Sequence, residues 1–190
     1  MAEVLLFHHA HGLTKGVLGF ADELRRSGHE VHVPDLYDGH VFDSLDEGLA
    51  YARDTGFGTI QERGIRAADG LPADLVYAGF SLGAMPAQQL AQTRAGARGA
   101  LLFHSCAPTS EFGTDWPAGV PVQVHGMEAD PFFVGDDLEA ARALVKVVEE
   151  GELFLYPGDQ HLFADPTLPS YDAEASAVLT RRVLDFLDGR

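Results

Sequence analysis

The chain has 190 residues, enough for a substantial core, and its 46% hydrophobic and 9% aromatic content is that of a globular protein and not a disordered one. Against 29 acidic side chains stand 13 basic ones, a formal net charge of −16 that excludes the basic face of a nucleic-acid binder and gives anionic substrates no long-range help. The single cysteine, Cys106, excludes an intrachain disulfide. With no basic leader and no run near the about 20 apolar residues of a membrane helix, the expectation is a cytoplasmic protein without a membrane partner.

Short apolar runs at 4–8, 30–33, 75–80, 100–104, 120–125 and 153–156 read as strands, near-continuous in apolar character as expected of a sheet covered on both faces. Between them, helical patterns occupy about 14–27, 44–69, 83–95 and 136–149, with a last one at 172–188 that Asp172 caps and Gly189 ends. Gly56 and Gly58 interrupt the 44–69 pattern near Phe57, so it reads either as one helix or as two with a bend. Strand–helix alternation without repeats or linkers predicts one α/β domain over 1–190, a mostly parallel sheet of about six strands with helices on both faces.

Gly79-Phe80-Ser81-Leu82-Gly83 falls where the third strand gives way to a helix. A serine between two glycines on such a turn is the nucleophile elbow of α/β-hydrolases, which lifts the hydroxyl above the sheet. A serine hydroxyl needs a base to take its proton and a carboxylate to orient that base, and in this fold the order is serine, acid, histidine on loops after strands. After the fifth strand, Asp130 is the better acid, braced by Pro131, Phe132 and Phe133, with Glu128 in reserve. After the sixth, His161 is the one histidine, and Asp159 beside it is poorly placed to orient it.

His29, His32 and His40 read as surface or satisfied positions, while His104 and His125 end strands where either can line a pocket. His8-His9-Ala10-His11 has the look of a metal tract, but His8 and His9 point to opposite faces of a continuing strand and no second ligand motif completes a site, so no metal is expected. Cys106 reads as a small buried thiol.

With Phe7 to Thr14 after the first strand, Val33-Pro34-Asp35-Leu36-Tyr37 after the second, the elbow, Asp130 and His161-Leu162-Phe163, nearly the whole chain resembles the dienelactone hydrolase family. The resemblance implies an α/β-hydrolase fold that lacks the first two strands and any large cap, with the N-terminal strand inside the sheet beside the edge strand at 30–33. It also implies an oxyanion hole from the backbone N–H groups of Leu82 and Ala10, with Gly12 letting the second loop turn tightly. Three departures stand out. Ser81 replaces the cysteine nucleophile of the namesake enzymes, as in esterase-like relatives. His9 stands where they carry a glutamate, and the stretch 162–166 lacks their arginine.

The reading is a serine hydrolase of a small ester, lactone or thioester that needs no cofactor. Ser81, Asp130 and His161 are the catalytic candidates, and His9, His11, Tyr37, Trp116, Phe132 and Phe133 the candidates for the pocket wall. The alternatives are a non-catalytic ligand-binding protein on the same fold and an acyltransferase using the same acyl-serine. Oligomeric state is not legible.

Overall fold

The computed structural model describes residues 1–113 and 115–190. Six strands, β1 (Glu3–Phe7), β2 (Glu30–His32), β3 (Val76–Phe80), β4 (Gly99–Phe103), β5 (Val122–Met127) and β6 (Gly151–Tyr156), form one sheet in the order β2-β1-β3-β4-β5-β6. Every neighbouring pair is parallel, so β1 lies inside the sheet beside the edge strand β2, as the resemblance implies. The chain runs outward from β1 to β2 and then crosses back to β3. That reversal places a crevice at the carboxyl ends of β1 and β3, where ligands of open α/β sheets bind.

Alternation along the strands divides the core in two. Leu5 and Phe7 of β1 face one layer with α2 (Leu45–Thr55), α3 (Phe57–Arg66), α4 (Ala84–Thr93) and α5 (Asp136–Val147). Val4 and Leu6 face the other, with α1 (Lys15–Arg26) and α6 (Ala173–Asp188). Every residue of β3, β4 and β5 is buried, which accounts for the apolar runs of β3 and β4, while β5 also buries Gln123 and His125. The outer strand β6 is partly open, and there the Arg182 guanidinium lies 4.1 Å from the centre of the Phe154 ring.

The 44–69 pattern resolves into two helices, with Gly56 between them at φ 95° and ψ 121°, a conformation disfavoured for residues with a Cβ. Ser44 caps the start of α2, its hydroxyl accepting the Glu47 N–H and donating to the Glu47 carboxylate. Asp172 caps α6 as its position predicts, accepting the Ala175 N–H at 2.9 Å. Among the described residues no helix is long and apolar enough to cross a membrane.

Candidate active site

At the end of β3 the chain turns at Ser81, whose φ of 49° lies in the left-handed region. For an L-residue with a side chain that conformation costs about 1–2 kcal/mol, and it is kept because the neighbours permit no other path. A Cβ on Gly79 would run into the Gly83 carbonyl, and one on Gly83 would lie 2.5 Å from the His8 carbonyl oxygen. The two glycines let strand, turn and the β1 loop pack backbone to backbone. A single helical turn, Ser81–Gly83, leads into α4, so the Leu82 N–H belongs to the opening turn, whose donors have no partner within the helix.

Asp130 and His161 arrive from two other strand ends. Asp130 is wholly buried in the turn after β5, and its Oδ1 accepts the Phe132 N–H at 2.9 Å. Its Oδ2 accepts from Nδ1 of His161 at 2.6 Å, and Nε2 of the same ring lies 2.9 Å from Ser81 Oγ. A carboxylate only accepts, so Nδ1 carries the ring proton and Nε2 is left to take the serine proton. Glu128 is exposed, and Asp159 is exposed and accepts from its neighbour Gln160. The structure therefore brings Ser81, His161 and Asp130 into one hydrogen-bonded chain and leaves both competing acids outside it.

The loop after β1 is pinned from two sides. Its His8-His9-Ala10-His11 tract splits three ways. His8 donates from Nδ1 to the His9 carbonyl and accepts the Leu36 N–H at Nε2. His9 donates from Nε2 to Asp165 Oδ2 at 2.9 Å, and His11 donates from Nδ1 to the Phe42 carbonyl. Asp165 also accepts from the Thr14 hydroxyl and from the hydroxyl and N–H of Thr167. Burial alone would raise the Asp165 pKa, but these donors outweigh it and hold the carboxyl below the usual range. Gly16 is what lets Asp165 in, since a Cβ there would overlap the carboxylate. The pair thus ties the loop that carries Ala10 to the loop that carries His161. Gly48 of α2 presses on the same loop, and a Cβ there would overlap the Ala10 carbonyl.

Above Ser81 and His161 opens a cavity of about 220 Å³ whose wall is mostly apolar. Its apolar lining is Leu45, Leu49, Phe57, Leu82, Met85 and Phe132. Of the six side chains expected in the wall only Phe132 is there, its ring centre 4.8 Å from that of His161. Phe133 points the other way, fully buried against Gly126, as neighbours on opposite sides of a turn do. Tyr37 is buried in the core, its hydroxyl donating to the Gly48 carbonyl and its pKa pushed up to about 12 by burial. Trp116 packs on the core and donates to the Val120 carbonyl, while His9 and His11 are held by Asp165 and Phe42. The α2 and α3 side chains were missed because apolar residues on amphipathic helices read as core-facing. The signal that could have found them is Phe57, placed beside the glycines that bend this segment.

Four histidines around the strand ends are buried and kept neutral. Burial pushes the His8 pKa down to about 4 and that of His125 to about 3, and lowers those of His9 and His104. His125 does not line the cavity; Tyr156 and Gln123 hold its two nitrogens. His104 does, at φ 64°, with its ring centre 5.6 Å from that of His161 and neither nitrogen bonded to any described residue. A neutral ring there adds no repulsion when His161 takes a proton. Cys106 is a buried thiol whose pKa burial pushes up to about 12, unsuited to act as a nucleophile.

No curated protein matches the chain. Among solved structures it is similar to a dienelactone hydrolase-like promiscuous phosphotriesterase from metagenomic libraries, at 21% identity and a TM-score of 0.77, covering 100% of this chain and 86% of that one. It is also similar to a dienelactone hydrolase from Anabaena variabilis (15%, TM-score 0.68, 100% and 86% covered) and to an α/β-superfamily hydrolase from Xanthomonas campestris pv. campestris (21%, TM-score 0.65, 100% of both chains). At these identities the likeness speaks for the fold. The model of the dienelactone hydrolase family matches residues 1–189, nearly the whole chain. The chain therefore belongs to the dienelactone hydrolase family of the α/β-hydrolase superfamily, and it is a hydrolase acting on ester bonds.

Proposed function

We propose that this hydrolase cleaves a small ester, lactone or thioester through an acyl-serine formed on Ser81. The observation that carries the reading is the unbroken hydrogen-bond chain from Asp130 through His161 to Ser81 at the floor of an apolar cavity. As Ser81 Oγ attacks the carbonyl carbon, His161 Nε2 takes its proton and the Asp130 carboxylate steadies the imidazolium. The carbonyl π electrons move onto oxygen, and the N–H groups of Leu82 and Ala10 hold that negative charge. Donors preset in this way contribute about 3–4 kcal/mol to barrier lowering. The intermediate collapses as His161 gives its proton to the leaving oxygen or sulfur. Water, deprotonated in turn by His161, then attacks the acyl carbon, and the bond from that carbon to Ser81 Oγ breaks as His161 returns the proton to Oγ, freeing the acid.

A cavity of about 220 Å³ favours a short acyl group. Serine at the elbow and no arginine at 162–166 argue against dienelactone itself as substrate. The test is labelling with a fluorophosphonate probe. The wild type is expected to label on Ser81 and Ser81→Ala to stay unlabelled, while equal labelling of both would remove Ser81 as the reactive serine. Product analysis with added alcohol separates hydrolysis from acyl transfer, since a new ester would mark the latter.

A further inference from the structure

Resting on that reading, we propose that the Asp137 carboxylate selects the charge of the acyl group, so that the site prefers a short acyl chain ending in a cationic amine and rejects one ending in a carboxylate. Apart from Ser81 and His161, the polar side chains of the cavity wall are His104, Ser105 and Asp137, and none of the described lining residues is lysine or arginine. His104 is held neutral by burial. Asp137, whose pKa burial raises against the pull of its Ser105 and Cys106 donors, is then the one carboxylate among the described lining residues.

The carboxylate is only half occupied. It accepts the Ser105 hydroxyl at 2.6 Å and the Cys106 N–H at 3.3 Å, and both fall on Oδ2. Among the described residues no donor reaches Oδ1. Asp137 stands in the first turn of α5, where unpaired N–H groups favour a negative charge. In a wall that is mostly apolar and in which the other polar side chains are hydroxyls and imidazoles, a carboxylate is less screened than in water, so its attraction for an ammonium and its repulsion of an anion are both enlarged. An ammonium donating to Oδ1 completes the carboxylate with a charge-assisted hydrogen bond. The net charge of −16 acts in the same direction at long range.

Three ethyl esters that differ at the far end of the acyl chain test this: ethyl β-alaninate ends in an ammonium, ethyl butyrate in a methyl group of the same size, and monoethyl succinate in a carboxylate. In the wild type at pH 7.5, kcat/KM by proton release is expected to fall in that order, by about tenfold or more at each step. In Asp137→Asn, which keeps an acceptor for Ser105 and Cys106, the β-alaninate to butyrate ratio is expected to drop about tenfold and the succinate to butyrate ratio to rise. If Asp137 only braced the loop after β4, the three rates would move together and both ratios would stay fixed, which would overturn the proposal. A wild-type β-alaninate to butyrate ratio of one or less overturns it without any variant. Turnover of ethyl butyrate with no preference for the amine strikes the role of Asp137 alone, whereas equal fluorophosphonate labelling of wild type and Ser81→Ala strikes the acyl-serine reading beneath it.

Discussion

Asp130 and Glu128 lie two positions apart in one loop, and only geometry separates them. Asp130 is buried with one oxygen on the Phe132 N–H and the other on His161, while Glu128 is exposed. Under the proposed mechanism Asp130→Asn offers His161 an amide in place of a carboxylate, favouring the wrong tautomer, and kcat on a short p-nitrophenyl ester is expected to fall about 10³–10⁴-fold. Glu128→Gln is expected to stay within about threefold, since an exposed side chain outside the hydrogen-bonded chain contributes little. The reverse pattern in steady-state kinetics would move the acid to Glu128. These residues were legible in the sequence because serine, acid and histidine each follow a strand, and strand ends meet at one edge of a parallel sheet. The cavity wall was not. Phe132 and Phe133 are the same residue type side by side, and which one faces the cavity depends on a turn whose direction residue type does not encode.

The strand and helix pattern was legible almost throughout, because buried parallel strands leave near-continuous apolar runs and α6 carries Asp172 at its start and Gly189 at its end. Less legible was the work of the 44–69 segment. Its glycines announced a bend, but not that α2 and α3 would bring Leu45, Leu49 and Phe57 over the cavity and set Gly48 against the Ala10 carbonyl. Close backbone approach leaves no trace in hydrophobic periodicity. It makes Gly48 a sensitive position: in Gly48→Ala the new methyl must push the β1 loop away, carrying the proposed Ala10 donor with it. The expected outcome is a loss of about 10²-fold in kcat, the magnitude of removing one oxyanion donor, with helix content by circular dichroism retained. Unchanged kcat would mean that Ala10 takes no part in holding the oxyanion.

Over the whole molecule, the buried neutral histidines make stability depend on pH. His8 and His125 have folded pKa values of about 4 and about 3, against about 6.5 in an unfolded chain, and those of His9 and His104 are lowered too. As pH falls, the unfolded chain takes up these protons first. The stability is therefore fully present above pH of about 6.5 and is lost toward the folded values, at up to about 1.4 kcal/mol per pH unit for each histidine. The urea midpoint is expected to drop steeply from pH 7.5 to pH 5, and less steeply in His125→Gln. A flat midpoint would mean that these rings are not held neutral. No sequence pattern announced this, since burial of a histidine depends on the packing of several elements.

The most direct test of the central claim is to quench the wild-type protein at acid pH during turnover of p-nitrophenyl acetate and map the acetyl group by peptide mass spectrometry. The account expects the acetyl group on the peptide bearing Ser81, a burst of p-nitrophenol matching the enzyme concentration, and neither in Ser81→Ala. Turnover without a burst and with no acetyl group on Ser81, or an equal burst from Ser81→Ala, would contradict it.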